Sequence, residues 1–162
     1  MKQRTLHTDS ATTAIHASAE MIYDLVADVT RMGDWSPECR DCEWIDGASG
    51  PSVGARFRAR NRRGWMRWSN TPVVIVAERG REFAFSRRAL GAGEYVWRYA
   101  LEPGPDGTTA VTESYEAVRP ESWMVSTMAR LFTPGVEATY LHRAMETTLR
   151  QLKQHAEASA GS

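Results

Sequence analysis

The stretch "GARFRARNRRGW", residues 54–65, alternates between apolar and basic side chains. Ala55, Phe57 and Ala59 occupy every second position, and arginines stand between them. Because successive side chains of a β-strand point to opposite faces of its sheet, this pattern predicts a strand with one buried face and one face in water. The chain is therefore expected to contain a sheet whose apolar face is covered by another layer.

The arginines of this stretch are interpreted as the solvent face of the strand. Twenty Lys and Arg residues balance twenty Asp and Glu residues, whereas a nucleic-acid-binding domain usually has a basic excess, so no nucleic-acid partner is predicted. Asp41 and Glu43, on the preceding predicted strand, are expected to pair with the arginines. The solvent-facing arginines are Arg56, Arg58, Arg60 and Arg62.

Periodicity and turn residues divide the rest of the chain into elements. A strand is predicted over 12–17, and Ser18 offers an N-cap oxygen to the amphipathic segment "AEMIYDLVADVT". A turn or second short helix, 31–38, presents Trp35. Six strands separated by Gly-, Pro- and Asp-rich turns are predicted over 39–45, 55–62, 66–77, 82–88, 94–101 and 108–116. The short connections favour an antiparallel meander.

A long helix is predicted from 136 to about 156, with an apolar stripe that matches the open face of the sheet. That stripe contains Ala138, Leu141, Met145, Thr148, Leu149 and Leu152. The expected fold is therefore α+β, with a curved antiparallel sheet gripping the C-terminal helix. The segment 119–132 is a further predicted helix that packs against the sheet edge, and a lid, a dimer contact or a membrane-touching segment stay open as alternatives.

Length and composition indicate one domain. The chain has 162 residues, 42% of them hydrophobic, and we expect a single domain over 12–156 with flexible termini at 1–11 and 157–162. No secretory signal and no bilayer-spanning apolar run are predicted, so a cytoplasmic location is expected. Cys39 and Cys42 form one isolated C-x-x-C and are expected to point to opposite faces of an extended segment, so neither a metal site nor redox use is predicted, and no cofactor either.

Two charged residues stand on faces otherwise predicted to be buried: Arg87 in "EFAFSR" and Glu113 in "TAVTESYE". A buried charge is unfavourable unless it is paired or near water. Either the two residues form an ion pair, or a one-residue register error places them in solvent, or both reach an internal cavity. In a cavity, Glu113 would be a general base and Arg87 would hold an enolate or carboxylate. Tyr99 and His142 complete the candidate catalytic set, although a lone helix histidine is often structural.

Four stretches of the sequence resemble the START/Bet v1-like superfamily, and within it the bacterial polyketide cyclase/dehydrase-like group. They are "AEMIYDLVADVTRMGDWSPE", "GARFRARNRRG", "EYVWRYALEPGPDGTTAVTESYE" and "ATYLHRAMETTLRQLKQHAE". The resemblance covers 12–155 and implies a helix-grip fold: a seven-stranded antiparallel sheet wrapped around the C-terminal helix, two short helices after the first strand, and a deep hydrophobic cavity. Members carry lipids or aromatic metabolites, or cyclise polyketides with polar cavity groups. No catalytic residue carries over from the resemblance.

The leading hypothesis for function is binding of a small hydrophobic or aromatic molecule between the sheet and the last helix. A cavity of roughly several hundred Å³ that contains Arg87 and Glu113 would favour binding or catalysis, whereas a filled core would exclude both. The alternatives are a polyketide aromatase/cyclase-type enzyme and a protein-interaction module that uses the outer sheet face. Trp35 either closes one end of the cavity or locks the short helix to the sheet. The oligomeric state stays open. The residues predicted to touch the ligand are Trp35, Phe57, Trp68, Phe85, Trp97, Tyr115, Leu141 and Met145.

Overall fold

The computed structural model describes residues 8–88, 93–119, 124, 127 and 136–161. Within them, a curled antiparallel sheet packs against a long helix near the C-terminus. The strands are β1 (Thr8–Ile15), β2 (Cys39–Ile45), β3 (Arg56–Arg63), β4 (Met66–Asn70), β5 (Val73–Glu78), β6 (Glu82–Arg88), β7 (Glu94–Pro103) and β8 (Thr109–Arg119). The helices are α1 (Ala19–Ala27), a 3₁₀ helix (Val29–Asp34), a one-turn 3₁₀ helix (Pro105–Gly107) and α2 (Val136–Ala160).

The predicted α+β helix-grip fold is confirmed. Among the described residues, seven strands follow the path β1-β8-β7-β6-β5-β3-β2, and β4 pairs with β3 off that path. The two short helices follow β1, as expected, and α2 lies against the inner face of the sheet. The predicted strands over 39–45 and 82–88 have the bounds of β2 and β6.

The predicted single strand over 66–77 is wrong, since two strands occupy this stretch. β4 pairs with the far end of β3, where Met66 lies opposite Arg63, whereas β5 pairs with β6. The break falls at Thr71 and Pro72, and a proline has no backbone N–H with which to continue a ladder. The Pro72 carbonyl instead accepts a hydrogen bond of 3.2 Å from the N–H of Phe57.

Regular structure extends outside the predicted domain limits of 12 and 156. β1 occupies Thr8–Ile15 rather than the predicted 12–17. Its early start follows from pairing with β8, where Thr8 lies opposite Glu116. At the other end, α2 continues to Ala160. Most of the helix predicted within 119–132 lies outside the described residues. Within that segment, the described residues Met124 and Thr127 are helical. Among the described residues, no helix is long and apolar enough to cross a membrane.

The alternation in β3 is confirmed. Ala55, Phe57 and Ala59 are buried, while the four arginines between and after them are exposed. As predicted, Asp41 and Glu43 pair with the arginines: Arg60 Nη1 lies 2.5 Å from Asp41 Oδ1, and Arg58 Nη1 lies 2.8 Å from Glu43 Oε1. Arg56 pairs with Asp46 at 2.6 Å. These exposed pairs contribute at most about 1 kcal/mol each, so the strand is held mainly by its buried row.

The first helix begins and ends as its capping residues dictate. Ser18 Oγ accepts a hydrogen bond of 3.2 Å from the N–H of Met21, and this N-cap starts α1. The Asp28 side chain then accepts from the N–H of Thr30 and caps the following 3₁₀ helix. Trp35 ends that helix and is buried, with its indole edge-on to His155 at a centroid separation of 6.0 Å.

The long helix α2 packs against the sheet with its predicted apolar stripe. Met145, Leu149 and Leu152 are buried in this contact. Hydrogen bonds fix its last turns to the end of β1: Lys153 Nζ donates to the Ala14 carbonyl at 2.7 Å, and Glu157 Oε1 accepts from the His16 N–H at 2.9 Å. The earlier turns of α2 are thereby placed over the middle of the sheet.

Candidate functional site

A cavity of about 90 Å³ lies between α2 and the inner face of the sheet. Its sheet wall is formed by Phe57, Ala59, Asn61, Asn70, Pro72, Phe85, Arg87, Trp97, Tyr99 and Glu113. Leu141, Ala144, Met145 and Thr148 of α2 face that wall, and Met32, Ser36, Pro37, Glu38 and Cys39 close one end.

The cavity is smaller than the several hundred Å³ that would most favour binding or catalysis, although the core is not completely filled. Phe57, Phe85, Trp97 and Met145 fill much of the space between helix and sheet. Since one water needs at least about 10–15 Å³ of such space, the cavity as it stands holds several waters or one small organic molecule. A larger ligand requires the walls to move apart.

The strand register sets the aromatic side chains around one acidic group. Phe83 lies opposite Tyr99, which in turn lies opposite Glu113 on β8. Two positions along β7, Trp97 lies between Phe85 and Tyr115. Because residues two apart on a strand share a face, all of these side chains point to the inner side of the sheet, as the sequence predicts.

Glu113 is the buried carboxyl of the cavity. It is 4% exposed, and its Oε1 accepts a hydrogen bond of 3.0 Å from Tyr99 Oη. Its Oε2 is buried and has no hydrogen-bond partner among the described residues. Burial raises the pKa of this carboxyl from its ordinary value near 4.5 to about 8, and the Tyr99 hydrogen bond offsets only part of that rise. Glu113 is therefore largely protonated at pH 7.

Tyr99 completes a coupled pair with Glu113. Tyr99 is 4% exposed. Its burial is the largest cause, and the neighbouring Glu113 the second, of a pKa of the Tyr99 hydroxyl well above the ordinary value. The tyrosine thus stays neutral over the physiological range and keeps its proton available for hydrogen bonding. Two neutral O–H groups, rather than an anion, face the interior of this site at neutral pH.

Arg87 also lies in the cavity wall, and its guanidinium carbon is 5.8 Å from the ring centroid of Tyr95. No ion pair joins Arg87 to Glu113 among the described residues. The register explains the separation, because Arg87 lies opposite Tyr95 and Glu113 opposite Tyr99. Four residues along a strand span about 13 Å. The cavity thus has one cationic and one acidic region.

The structure brings together eight of the twelve predicted site residues. The cavity wall contains Phe57, Phe85, Arg87, Trp97, Tyr99, Glu113, Leu141 and Met145. Their contact with a ligand or substrate stays a prediction.

The other four predicted site residues lie outside the cavity wall. Trp35 packs edge-on against His155, so its ring contacts the long helix α2. Tyr115 is buried behind Trp97, with ring centroids 5.3 Å apart. Trp68 of β4 lies near Arg63, whose guanidinium carbon is 6.0 Å from the indole centroid. Trp68 lies outside the cavity wall because β4 pairs with β3 off the main path of the sheet.

His142 is directed toward β1 rather than into the cavity. Its Nδ1 lies 2.9 Å from Asp9 Oδ2, and its Nε2 lies 3.6 Å from Glu146 Oε1. The side chain is 43% exposed. These contacts are typical of a structural histidine on a helix surface, which is the alternative that the sequence left open.

Sequence reasoning missed several polar cavity residues. Asn61 continues the inward row of β3 after Ala59, so the alternation contained the signal for it. Asn70 reaches the cavity from β4, and its Oδ1 is buried without a hydrogen-bond partner in the described part of the chain. Nothing in the sequence indicates Asn70, because its placement depends on the break at Pro72. Asn70 Oδ1 and Glu113 Oε2 are thus two buried oxygens of the cavity wall without a hydrogen-bond partner among the described residues.

A charged cluster closes the end of the cavity that Glu38 lines. Arg63 Nη2 lies 2.5 Å from Glu38 Oε1, and the guanidinium carbon of Arg63 is 3.8 Å from the Tyr140 ring centroid. Tyr140 also hydrogen-bonds to Glu38, and burial raises the pKa of its hydroxyl. This cluster joins β3 to the first part of α2.

The prediction that Cys39 and Cys42 point to opposite faces is wrong. The register of β2 against β3 shifts between Cys39 and Asp41, so a β-bulge inserts an extra residue there. Both cysteines consequently lie on the inner face, with their sulfur atoms 3.1 Å apart. Among the described residues, no group of three or more His, Cys, Asp and Glu side chains is arranged to hold a metal ion.

Comparison with known families agrees with this fold. The family model described as "Polyketide cyclase / dehydrase and lipid transport" matches residues 7–157. The chain belongs to this family. A search of curated protein sequences found no match.

Solved structures of other polyketide-cyclase-type proteins share the fold. The Zhui aromatase/cyclase from Streptomyces sp. R1128 superposes with a TM-score of 0.73 at 15% identity, over 94% of each chain. The polyketide-cyclase-like protein Cgl2372 from Corynebacterium glutamicum is 31% identical over 96% of this chain and 88% of its own, with a TM-score of 0.50. The di-domain aromatase/cyclase StfQ of the steffimycin pathway has a TM-score of 0.72 at 12% identity, and 52% of its chain is covered.

Proposed function

We propose that this member of the polyketide cyclase family binds a small, largely apolar molecule that carries an oxygen function, such as a phenol or a ketone. Aromatic and aliphatic walls supply most of the contact, and a few polar groups fix the orientation, as is typical of small-molecule sites. The polar groups are Glu113, Tyr99, Asn70 and Arg87, all in the cavity wall.

The observation that carries this proposal is that Glu113 is buried and that its Oε2 has no hydrogen-bond partner among the described residues. A carboxyl group buried with an unpartnered oxygen destabilises the folded chain, since hydrogen bonds to water are lost without replacement. A core built only for stability would use an apolar residue at this position. A ligand that hydrogen-bonds to Glu113 Oε2 offsets that cost. Ligand binding therefore accounts for the presence of a carboxyl group in this buried position.

The proposed ligand is tested with probes that match the cavity. Phenol and acetylacetone are small and have one polar edge, and their binding is measured by NMR shift perturbation of the full chain. Glu113→Leu should weaken both probes at least tenfold, because it removes the polar partner. Ala59→Leu should abolish binding by filling the cavity, since Ala59 lines it.

The matched control for cavity filling is Ala110→Leu. Ala110 alternates with the inward residues Thr109 and Val111 of β8 and so lies on the opposite face of the sheet. This variant should bind the probes as the unchanged protein does. Absence of probe binding to the unchanged protein at any accessible concentration would remove the proposed ligand class.

A second candidate function, acid–base catalysis, is favoured by the pairing of Tyr99 with a protonated Glu113. We propose that Glu113 assists the loss of water from a β-hydroxyketone. It donates its proton to the hydroxyl group that leaves as water, and the resulting carboxylate accepts the proton from the carbon next to the ketone. A carbon–carbon double bond forms, and Glu113 returns to its acidic form. The aromatase/cyclase names of Zhui and StfQ agree with this chemistry.

Diacetone alcohol, a small β-hydroxyketone, tests the catalytic proposal through its conversion to mesityl oxide, read by absorbance. Glu113→Gln keeps the size and hydrogen bonding of the side chain but has no acidic proton, so turnover should be lost while phenol binding changes less than threefold. Equal turnover in the variant and the unchanged protein would exclude Glu113 as the acid. Binding without turnover in either protein would leave ligand binding as the function.

The third hypothesis, an interaction module that uses the outer sheet face, has less support. Three of the four outward arginines of β3 are already matched by acidic neighbours: Arg56 by Asp46, Arg58 by Glu43 and Arg60 by Asp41. A surface neutralised by internal pairs offers little net attraction to an acidic partner.

A further inference from the structure

The two cysteines of this chain are neighbours in space, at the end of the cavity that contains Met32. Cys39 lies opposite Asn61 and Cys42 opposite Ala59, and these two partners share the inner face of β3. Because of the β-bulge after Cys39, the two cysteines are placed like residues two apart on a regular strand and so share one face of the sheet. Their sulfur atoms are 3.1 Å apart and both residues are buried, at 5% and 7% exposure.

We propose that Cys39 and Cys42 are a reversible oxidation site, a dithiol that a small hydroperoxide entering the cavity converts to an intramolecular disulfide. The sulfur atoms need to approach by only about 1 Å to reach the bond length of about 2.05 Å. β2 stands at the end of the strand path, paired on that path with β3 alone. An edge strand of this kind adjusts its backbone more readily than a central one.

The structure assigns different roles to the two sulfur atoms. Cys39 lines the cavity whereas Cys42 is not part of that wall, so a molecule in the cavity lies closer to Cys39 than to Cys42. Either thiol can donate the hydrogen bond that joins the two sulfur atoms, and donation by Cys42 lowers the pKa of Cys39. The same hydrogen bond, together with burial, raises the pKa of Cys42. Since the thiolate is the nucleophile, Cys39 is the attacking residue and Cys42 the resolving one.

The reaction with hydrogen peroxide balances in two steps. The Cys39 thiolate attacks one peroxide oxygen, a sulfur–oxygen bond forms, the oxygen–oxygen bond breaks, and the departing hydroxide takes a proton to become water. Cys42 then attacks the Cys39 sulfenic acid, the sulfur–sulfur bond forms, and the released oxygen leaves as a second water with the Cys42 proton. Two thiols lose two electrons, and one peroxide is reduced to two waters.

Oxidation at this site changes the wall of the cavity close to its acidic pair. Cys39 is near enough to Tyr99 that negative charge on its sulfur contributes to the raised pKa of that tyrosine. A disulfide removes this charge and draws the Cys39 sulfur toward Cys42. The inference is independent of the proposed ligand, because it depends only on the thiol pair and on access to Cys39.

The test uses the full chain, whose only cysteines are these two. The folded, reduced protein is treated with hydrogen peroxide, its remaining thiols are blocked with iodoacetamide, and the intact mass and peptide map are measured. We expect loss of both alkylation sites in a monomer, a mass decrease of two hydrogens, and recovery of both thiols with dithiothreitol. Peptide mapping separates this product from sulfoxide formation at Met32.

Two variants test the assigned roles. Cys42→Ser should stop at a Cys39 sulfenic acid that dimedone traps, whereas Cys39→Ser should react at least tenfold more slowly. Circular dichroism confirms that each variant is folded. The inference is overturned if both thiols of the folded protein stay alkylatable, if the only disulfides are intermolecular, or if the intramolecular bond forms in concentrated urea but not in the folded chain.

Discussion

Tyr99 donates a 3.0 Å hydrogen bond to Glu113 within the cavity wall, and both side chains are shielded from water by the sheet and α2. The two residues lie opposite each other on β7 and β8, so the backbone register fixes their contact. An acidic group held neutral in this way is able to donate a hydrogen bond or a proton to a ligand, which an ionised carboxylate is not. The proposed chemistry of this cavity depends on that protonation state.

The first prediction concerns pH and stability. In the unfolded chain, Glu113 loses its proton near its ordinary pKa of 4.5, whereas in the folded chain it keeps the proton until about pH 8. The raised pKa therefore contributes stability that is fully present below the unfolded pKa and is lost as pH rises toward the folded value. Between about pH 5 and pH 8, this loss should amount to a few kcal/mol, at most about 4.

Glu113→Gln removes this contribution, because an amide does not titrate. Urea unfolding of both proteins at pH 5 and pH 8 should show that the variant gains stability relative to the unchanged chain at the higher pH. A difference between the two proteins that does not change with pH would contradict the raised pKa.

The second prediction tests the alternation in β3. Phe57→Ala should cost about 3 to 5 kcal/mol in the free energy of unfolding, because the ring is fully buried between sheet and helix. Arg58→Ala, one position along, should cost at most about 1 kcal/mol, because its ion pair with Glu43 is half exposed. Denaturant unfolding of the two variants is the measurement, and comparable losses would mean that the faces are misassigned.

The third prediction concerns Gly33, which lies in the 3₁₀ helix before the cavity. A Cβ at this position would lie 2.7 Å from the Arg40 carbonyl oxygen. Gly33→Ala should therefore destabilise the fold by roughly 1 to 3 kcal/mol through overpacking. Gly50→Ala is the control, since nothing lies within 4 Å of its Cβ, and it should change stability by no more than about 0.5 kcal/mol. Thermal unfolding that shows no difference between these variants would refute the close approach.

The fourth prediction concerns His142, which the sequence placed among the candidate catalytic residues. The structure directs it to Asp9, with 43% of the side chain exposed. His142→Ala should leave phenol binding and any turnover of diacetone alcohol unchanged, and should alter stability by at most about 1 kcal/mol. A large loss of either activity would return this residue to the site.

Much of the fold was predictable because the inward and outward rows of each strand are chemically distinct. Phe57 and its small neighbours alternate with arginines, and the aromatic residues of β7 alternate with smaller or polar ones. The apolar stripe that contains Met145 and Leu149 predicted which face of α2 covers the sheet. Local patterns of this kind determine strand and helix faces without knowledge of the tertiary structure.

The candidate site was only partly predictable, since it depends on irregularities that local patterns do not encode. The β-bulge after Cys39 reverses the expected direction of one cysteine, and the break at Pro72 brings Asn70 into the cavity. The volume of the cavity is likewise set by how closely α2 approaches the sheet. Glu113 was identified correctly as an inward carboxyl residue, but its hydrogen bond to Tyr99 required the register between β7 and β8.

The most direct test of the central claim is the pKa of Glu113 in the folded protein. Carbon-13 NMR of the side-chain carboxyl, assigned by comparison with Glu113→Gln, follows its protonation from pH 4 to pH 10. A single titration with a midpoint at about pH 8 is predicted, and it should shift when phenol occupies the cavity. A midpoint near the ordinary value of 4.5 would mean that the carboxyl is ionised at neutral pH, and would contradict the proposed neutral acid.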